Sequence, residues 1–474
     1  MTKKIICSLA ISSILLTGTI SCNNFLDVKP IVEKPDKGIL SIASNVEKVL
    51  FSAYDKFQVA APVAMQIATL YGDDIDLAKG FGLDVWENEF KLQNYTMFNQ
   101  IGQNYWENAY SAITSANLVI DATDKNLYKA DVKTMNQWKG EALFLRALFH
   151  FDITRLFSLP YNTNPTENYG AILRLAPTNS VTVAATKIQR AKISESYEAV
   201  VKDLMEAISL LPNFNTNNRV TAATAKALLA RVYFNKADYA NAFKQADEVI
   251  KTGGFKINAA TDEGLKAMYN TFGNLPTPAG VILQVVNSSE DDASASLRDN
   301  KFFNVSATHV KYLLSQALIN NLKIAGARRN SLFVLAGFNA ANNIINYSNK
   351  YALRDNGTTA INIPYLRLAE IYLIRAESGL QTDAFRVEEA RADMNTVRFA
   401  AQAQIDNATS NKETLLNFIR RERNIELFLE GDRWHEQRRL QATDIRNGVG
   451  FDSKKGLLKI PESEYKGNIG IEQN

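Results

Sequence analysis

The sequence predicts a mainly α-helical protein whose helices are interrupted by a few long irregular segments. Apolar residues recur at helical spacing along most of the 474 residues. A few short strands are expected, and one strand-like stretch, residues 280–287, lies within an irregular segment. With 46% hydrophobic and 22% charged residues, the chain has the composition of an ordinary globular protein that is large enough to bury a substantial core.

The helical patterns follow one another along the chain. In the first, residues 41–57, the apolar side chains of Val46, Val49, Leu50, Ala53 and Tyr54 share one face. Similar patterns predict helices at residues 102–122, 134–157, 194–211, 221–239, 241–251, 308–324, 363–380, 384–403 and 412–430. These helices form the predicted scaffold, concentrated at about 102–253 and 363–440.

Residues 222–253 resemble a helical hairpin of the tetratricopeptide type. Leu229, Ala230, Tyr233 and Ala242 have suitable spacing, and residues 236–239 supply the turn. Small residues at the crossing allow close approach of the two helices. Since one hairpin cannot bury its apolar face alone, neighbouring hairpins around 106–122, 141–157 and 366–397 are expected to cover it.

The N-terminus predicts export and lipid attachment. Lys3 and Lys4 precede an uncharged run at residues 5–21, which is typical of a signal peptide. Residues 19–22 resemble the lipobox of bacterial lipoproteins, with Thr19 in place of the usual Leu. Cys22 would then carry acyl chains such as palmitate, at about 0.8 kcal/mol of membrane binding per buried methylene. We predict a signal peptide at 1–21, a tether at 22–40 and a single domain at 41–474.

Composition excludes several functional classes. Cys7 lies in the predicted signal peptide, so Cys22 is the only thiol of the mature chain, without a disulfide framework or cysteine nucleophile. Removing Lys3 and Lys4 leaves 51 basic and 50 acidic residues, which does not suggest nucleic-acid binding. His150, His309 and His435 lack zinc-site spacing and are expected to be packed or on the surface. We predict no catalytic residues, metal or cofactor.

Two irregular segments, 70–98 and 272–304, are the candidates for ligand binding. Sugar rings stack their C–H faces on aromatic side chains, while carboxylates and amides bind their hydroxyls. The first segment combines both kinds, and the second is expected to face it. The candidate residues are Tyr71, Asp73, Asp74, Phe81, Trp86, Asn88, Tyr95, Phe302 and Asn304. Trp106, Trp138 and Trp434 fall in scaffold helices or at a helix end, leaving Trp86 in a loop, where it either binds ligand or anchors the loop.

Acidic clusters have simpler interpretations than catalysis. Glu422, Glu426 and Glu430 form a stripe that a glycosidase would use as acid and base. An ion-pair network with the nearby Arg421, Arg423 and Arg433 is the favoured interpretation, and Glu370, Arg375 and Glu377 are interpreted in the same way. The aspartates at 73–76 and the acidic run at 290–292 are candidate calcium ligands, with solvated loop charge as the default.

The order of motifs resembles the SusD/RagB family over nearly the whole mature chain. The matching blocks are residues 22–30, 106–117, 140–147, 363–377, 394–398, 419–434 and 460–474. Residues 435–437, His-Glu-Gln, replace the family's usual aromatic-Asp-Leu, and Leu440 stands where Trp is common. These departures concern packing near the C-terminus.

The resemblance implies an outward-facing, lipid-anchored outer-membrane protein without catalytic activity. It would capture oligosaccharides or peptides and dock as a lid on a SusC-like TonB-dependent transporter. Two alternatives stay open from the residues: a surface glycoside hydrolase, and a helical-repeat adaptor without a small-molecule ligand.

Overall fold

The structure is a computed structural model that describes residues 38–77, 89, 95–177, 186–213, 219–269, 277–288, 290, 312–338, 344–350, 360–382, 384–468 and 470–474. The helices are α1 (Ala43–Tyr71), α2 (Gln100–Asp124), α3 (Val132–Phe157), α4 (Ile193–Leu210), α5 (Ala222–Asn235), α6 (Tyr239–Thr252), α7 (Asp262–Ala267), α8 (Gln316–Ala325), α9 (Arg328–Phe333), α10 (Leu368–Gln381), α11 (Val387–Ala400), α12 (Lys412–Glu426), α13 (Asp432–Arg439) and α14 (Glu462–Gly467). The strands are β1 (Ile75–Leu77), β2 (Val281–Val285), β3 (Tyr312–Leu314), β4 (Val334–Phe338), β5 (Ile344–Ser348) and β6 (Ile363–Arg367). The predicted mainly α fold is confirmed.

The helices pack in chain order, each largely on its sequence neighbour, from α1 to α6. Helix α10 then packs on both α6 and α11, so the C-terminal helices continue the stack. One large apolar cluster runs through this stack, and a smaller one lies between α10, α11 and α12. Within the described ranges the strands form three separate antiparallel pairs, β1 with β3, β2 with β6 and β4 with β5.

Side-chain caps explain where many of these helices begin. A polar side chain accepts a hydrogen bond from an amide in the first turn that would otherwise lack a partner. The capping residues are Asn99 in α2, Asp131 in α3, Thr221 in α5, Asp238 in α6, Ser315 in α8 and Asn411 in α12.

The predicted hairpin at 222–253 is formed by α5 and α6, which pack on each other across a three-residue connection. Ala230 and Ala242 are fully buried, as expected for small residues at a helix crossing. Helix α10 supplies the neighbour that the hairpin needs. Membership of the tetratricopeptide type stays a prediction.

The first helix is longer than predicted. It continues through Pro62 to Tyr71, so the irregular segment begins at Gly72 rather than at residue 70. Every residue from Ala60 to Tyr71 is buried. A helix that is enclosed on all sides has no polar face, so its sequence lacks the amphipathic pattern by which helices are recognised.

Two predicted helices begin with strands. Residues 363–367 form β6, which pairs with β2, and helix α10 starts only at Leu368. Likewise, residues 312–314 form β3, and α8 starts at Gln316. Strand pairing joins segments that are distant in sequence, so local periodicity does not reveal it. The predicted strand at 280–287 is confirmed as β2, although its five residues are buried rather than part of a loop surface.

The glutamate stripe, with Glu422 and Glu426 in α12 and Glu430 just after its end, is a buried ion-pair network, as predicted, but its cationic partners come from elsewhere. Glu422 binds Arg329 and Arg398, and Glu426 binds Arg329 and Arg367. Glu430 receives hydrogen bonds from Arg367, at 2.8 and 2.9 Å, and from Lys350 at 2.5 Å. Arg329, Arg367 and Lys350 are each 1% exposed, so these carboxylates neutralise charges inside the core.

Two of the arginines predicted for that stripe have other partners. Arg423 binds Glu370 and Asp432, while Arg433 binds Asp73. The same structural role is confirmed for Arg375, which binds Asp247 and Asp393, and for Glu377, which binds Arg420 and Arg439. The glycosidase assignment of the stripe therefore has no geometric support among the described residues.

Gly431 joins the network to the start of α13. Its φ is +75°, in the left-handed region, and a Cβ there would lie 3.0 Å from the Met65 Cα of α1. The residue before α13 must therefore be glycine, both for its backbone conformation and for the close approach of α1.

We expect Gly431→Ala to lower the free energy of unfolding by about 2 kcal/mol or more, because left-handed strain and a backbone clash act together. Gly448→Ala is the matched control, since Gly448 also has a φ of +75° but has no atom within 4 Å of its Cβ position. Gly448→Ala should lower the free energy of unfolding by only about 1 kcal/mol. Urea denaturation compares the two, and equal losses would show that the α1 contact is unimportant.

Candidate functional site

Strands β1 and β3 lie next to the two irregular segments along the chain. They are antiparallel, with Leu77 directly opposite Tyr312. The first segment continues beyond Leu77, and residues 305–311 separate the end of the second segment from β3. The strand that leads into the first segment therefore pairs with the strand that follows the second, and we call these two strands the paired base (residues 75–77 and 312–314).

An aromatic cluster packs against the residues at both ends of the first segment. The ring of Tyr71, the last residue of α1, stacks on Trp434 with centroids 4.5 Å apart and an interplanar angle of 18°. Tyr95 packs against Tyr71 at 4.8 Å, and the Arg438 guanidinium lies 4.2 Å from the Trp434 ring. Burial raises the pKa of Tyr71 well above its usual value. These rings connect α1, the returning end of the first segment and α13.

Asp73 forms a bidentate ion pair with Arg433. Arg433 donates from Nε and Nη2 to the two carboxylate oxygens, at 2.6 and 2.9 Å. Burial disfavours the charged form of Arg433, but the hydrogen bonds that it donates to Asp73 and the negative charge of Asp73 outweigh this effect and raise the arginine pKa. Arg446 Nη2 donates to the carbonyl oxygens of Gly72 and Ile75 on either side. Two arginines thus fix the chain between α1 and β1.

Asp74 is buried between β1, α12 and the start of α8. Asn424 Nδ2 donates to its carboxylate at 2.8 Å, and its backbone oxygen accepts from the amide of Ser315, the capping residue of α8. Burial raises the pKa of Asp74 to about 7, against the opposing effect of Arg433. Asp74 therefore joins β1 to the start of α8 and to α12.

The returning end of the first segment is also anchored. The Thr96 hydroxyl donates to Glu89 at 2.6 Å, and Asn99 donates to the same carboxylate while it caps α2. The Glu462 amide donates to the Met97 carbonyl at 3.1 Å, which links this end to α14. Both ends of the segment are therefore attached to the scaffold.

The predicted site residues divide into three groups. Tyr71, Asp74 and Tyr95 are 1, 2 and 5% exposed, so they are core residues that present little surface to a ligand. Asp73 is half-buried in its ion pair. Phe81, Trp86, Asn88, Phe302 and Asn304 lie outside the described residues, so their role stays a prediction. The default of solvated charge was wrong for Asp73 and Asp74.

Sequence reasoning missed the residues that hold the base, namely Asn424, Arg433, Trp434 and Arg446. Trp434 was assigned to the scaffold, correctly, since it is 3% exposed, as were the buried Trp106 and Trp138. The Arg-Trp pair at residues 433–434, which follows Gly431 and Asp432, was the available signal. Nothing in the sequence indicated that Asp73 and Tyr71 are the partners of Arg433 and Trp434.

The described residues contain no group of three or more His, Cys, Asp or Glu side chains arranged to hold a metal ion. His150 and His435 are packed in the core, as expected, and burial lowers the pKa of His150 to about 3. His309 and Cys22 lie outside the described residues.

Family comparisons match both halves of the chain. A family model described as "Starch-binding associating with outer membrane" matches residues 24–234, and one described as "SusD family" matches residues 324–473. The chain belongs to the SusD/RagB family. A curated relative, SusD-like protein P2 of Formosa agariphila, is 25% identical over 437 residues, which cover 81% of this chain and 82% of the relative.

Solved structures agree with this fold. A SusD superfamily protein from Bacteroides thetaiotaomicron is 23% identical with a TM-score of 0.79, covering 91% of this chain and 99% of the other. A SusD-like carbohydrate binding protein from Bacteroides vulgatus is 18% identical with a TM-score of 0.75, covering 91% and 97%. At this identity the likeness establishes the SusD architecture.

The SusD/RagB family is associated with the outer membrane and with carbohydrate binding. Within the part of the chain that the structure describes, no helix has the length and apolar character to cross a bilayer.

We expect Asp74→Asn to change how stability depends on pH. Because burial raises the folded pKa to about 7, the folded state keeps a proton that the unfolded carboxyl loses near its ordinary value. The stability from that proton is complete below about pH 4 and lost as pH rises through 7. Between pH 5 and 8, wild type should lose on the order of 2 kcal/mol relative to Asp74→Asn.

Chemical denaturation at a series of pH values measures this difference. Asp76→Asn, at an exposed position of the same strand, is the control and should follow wild type. Parallel stability curves for Asp74→Asn and wild type would contradict the buried, protonated state of Asp74.

Proposed function

We propose that this protein captures oligosaccharides at the outer face of the outer membrane and delivers them to a SusC-like TonB-dependent transporter. Peptides are the alternative ligand class. The observation that carries the proposal is the paired base, because the strand that leads into the first aromatic and polar segment pairs with the strand that follows the second along the chain. Membership of the SusD/RagB family supports the same function.

The chemistry of the first segment suits sugars. Phe81 and Trp86 supply ring faces for stacking, and Asn88 supplies an amide for hydroxyl groups. Phe302 and Asn304, eight or more residues before Tyr312, are within reach of the same region. Tyr71, Asp73, Asp74 and Tyr95 act as the support that fixes where this surface lies.

A binding role without catalysis accounts for the carboxylates. Glu422, Glu426 and Glu430 are committed to buried arginines and Lys350, so they do not present an acid and a base to a glycosidic bond. A surface glycoside hydrolase would cut the glycans that it binds, whereas this protein should leave them intact.

We expect Trp86→Ala to weaken binding of neutral oligosaccharides at least ten-fold, because an aromatic stacking partner and its buried area are lost together. Phe399→Ala is the control, since Phe399 is 65% exposed on α11 and distant from the paired base in sequence. Calorimetry with maltoheptaose and a panel of other neutral oligosaccharides measures both affinities. Unchanged affinity in Trp86→Ala would remove Trp86 from the site, and cleavage of a bound glycan would contradict the binding role.

We expect Cys22→Ser to release the protein from the membrane fraction, because Cys22 is the residue that would carry the acyl chains. Cys7→Ser, within the predicted signal peptide, should leave membrane attachment intact. Fractionation and mass spectrometry of the native protein measure the anchor. A wild-type chain with an unmodified Cys22 would contradict it, and co-isolation of wild type with a TonB-dependent barrel tests delivery.

A further inference from the structure

A surface groove lies between α2, Arg174 and the start of α14. It encloses about 450 Å³, which is within the range of small-molecule sites, about 300–1,000 Å³. Trp106 and Tyr110 line it from buried and half-buried positions of α2, whereas Glu107 and Ser111 line it from exposed positions of the same helix. None of the residues at the paired base lines it.

We propose that this groove is a second subsite for a neutral oligosaccharide, in which Arg174 and Glu464 bind the hydroxyls of one sugar residue beside the ring of Tyr110. The inference rests on the proposed glycan-binding function and extends it. It adds a subsite on the helical scaffold to the loop residues that we predict to bind the ligand, and it commits to an uncharged sugar.

The guanidinium of Arg174 is the first observation. Its side chain is 17% exposed, and its ion pair with Glu464 has an N···O distance of 3.7 Å, which is too long for a hydrogen bond. The guanidinium forms no hydrogen bond within the part of the chain that the structure describes, and none of its nitrogens is enclosed in the core. A guanidinium presents five N–H donors in fixed directions, so it suits two neighbouring hydroxyl oxygens of a sugar.

Glu464 supplies the complementary acceptors. Trp106 Nε1 donates to its Oε2 at 3.4 Å, and Asn468 Nδ2 donates to its Oε1 at 3.3 Å. Both bonds are long, and each carboxylate oxygen has two lone pairs, so Glu464 keeps capacity for a hydroxyl of the ligand. Glu107 adds a second carboxylate to the lining. With two carboxylates and one arginine, the described lining disfavours an acidic sugar.

Tyr110 contributes an aromatic surface. Its hydroxyl donates to the Ile172 carbonyl at 3.0 Å and accepts from the Ile172 amide at 3.1 Å, so a ligand in the groove meets the ring and not the hydroxyl. The ring packs against Trp106 with centroids 4.7 Å apart, which fixes its position. An aromatic ring beside polar groups is the combination that binds the C–H face and the hydroxyl edge of a sugar.

The groove adjoins the returning end of the first irregular segment. The Glu462 amide donates to the Met97 carbonyl at 3.1 Å, and the next two residues of α14, Ser463 and Glu464, line the groove. The groove therefore lies beside residues 95–99, the described end of that segment. A longer oligosaccharide extends further from the predicted loop residues than a short one, so we expect only the longer one to occupy both places.

Calorimetry on the purified mature protein tests the subsite with two pairs of neutral sugars, maltoheptaose with maltotriose and xylohexaose with xylotriose. Ser111→Trp fills the groove from an exposed position, and Arg174→Met removes the guanidinium. In the pair that binds, each variant should weaken the longer sugar about ten-fold, because a charge-assisted contact is lost or blocked, and leave the trisaccharide unchanged. Ser209→Trp, at an exposed serine of α4 outside the groove, is the matched control and should behave as wild type.

Each other outcome has a defined meaning. Equal affinity of Ser111→Trp and Ser209→Trp for the longer sugar would overturn the subsite, and so would equal weakening of the trisaccharide. If Trp86→Ala loses both members of a pair while both groove variants retain them, the subsite is wrong and the proposed function stands. If no sugar binds wild type, both proposals fail. Thermal unfolding checks that Arg174→Met is folded, and Ser111→Trp decides the result if it is not.

Discussion

The buried ionic network at the end of α12 is the interaction on which the rest of the structure depends. Arg367, at the end of β6, donates to Glu426 and Glu430, and Lys350, after β5, donates to Glu430 as well. The next residue, Gly431, turns the chain into α13, which packs on α1. Because α13 carries the residues that stack on Tyr71 and bind Asp73, the network determines where the paired base lies.

A buried ion-pair network fixes the relative positions of the elements that it joins more than it adds to the free energy of unfolding. Moving charged groups into the core costs several kcal/mol per ion, and the attraction between them only offsets this when partners are well placed. Each carboxylate of the α12 stripe meets at least two cations or binds one of them through two atoms. Removing one partner leaves a buried charge unpaired, so alternative arrangements of β6 and α12 are strongly disfavoured. A fixed support is what the proposed binding surface would need in order to keep a defined shape.

Much of the scaffold could be predicted from the sequence because most helices bury only one face. Helix α3, for example, begins and ends within two residues of its predicted bounds. The second half of α1 was missed because all its faces are buried, and β6 was missed because its partner β2 is some 80 residues earlier. The ligand-contacting residues stay a prediction, and the arrangement of the paired base was not predicted. Asp73 and Arg433 are 360 residues apart, and no local pattern connects them.

The central claim, that β1 and β3 pair to form the paired base, can be measured with a cysteine pair at Asp76 and Leu313, which are directly opposite each other. Opposite Cα atoms in an antiparallel pair are about 4.5–5.5 Å apart, a separation that suits a disulfide. With Cys22 replaced by serine, the mature chain has no competing thiol. The account predicts complete oxidation and unchanged oligosaccharide affinity in Asp76→Cys/Leu313→Cys. Thiols that stay free under oxidising conditions, or binding that is lost on oxidation and restored by reduction, would contradict it.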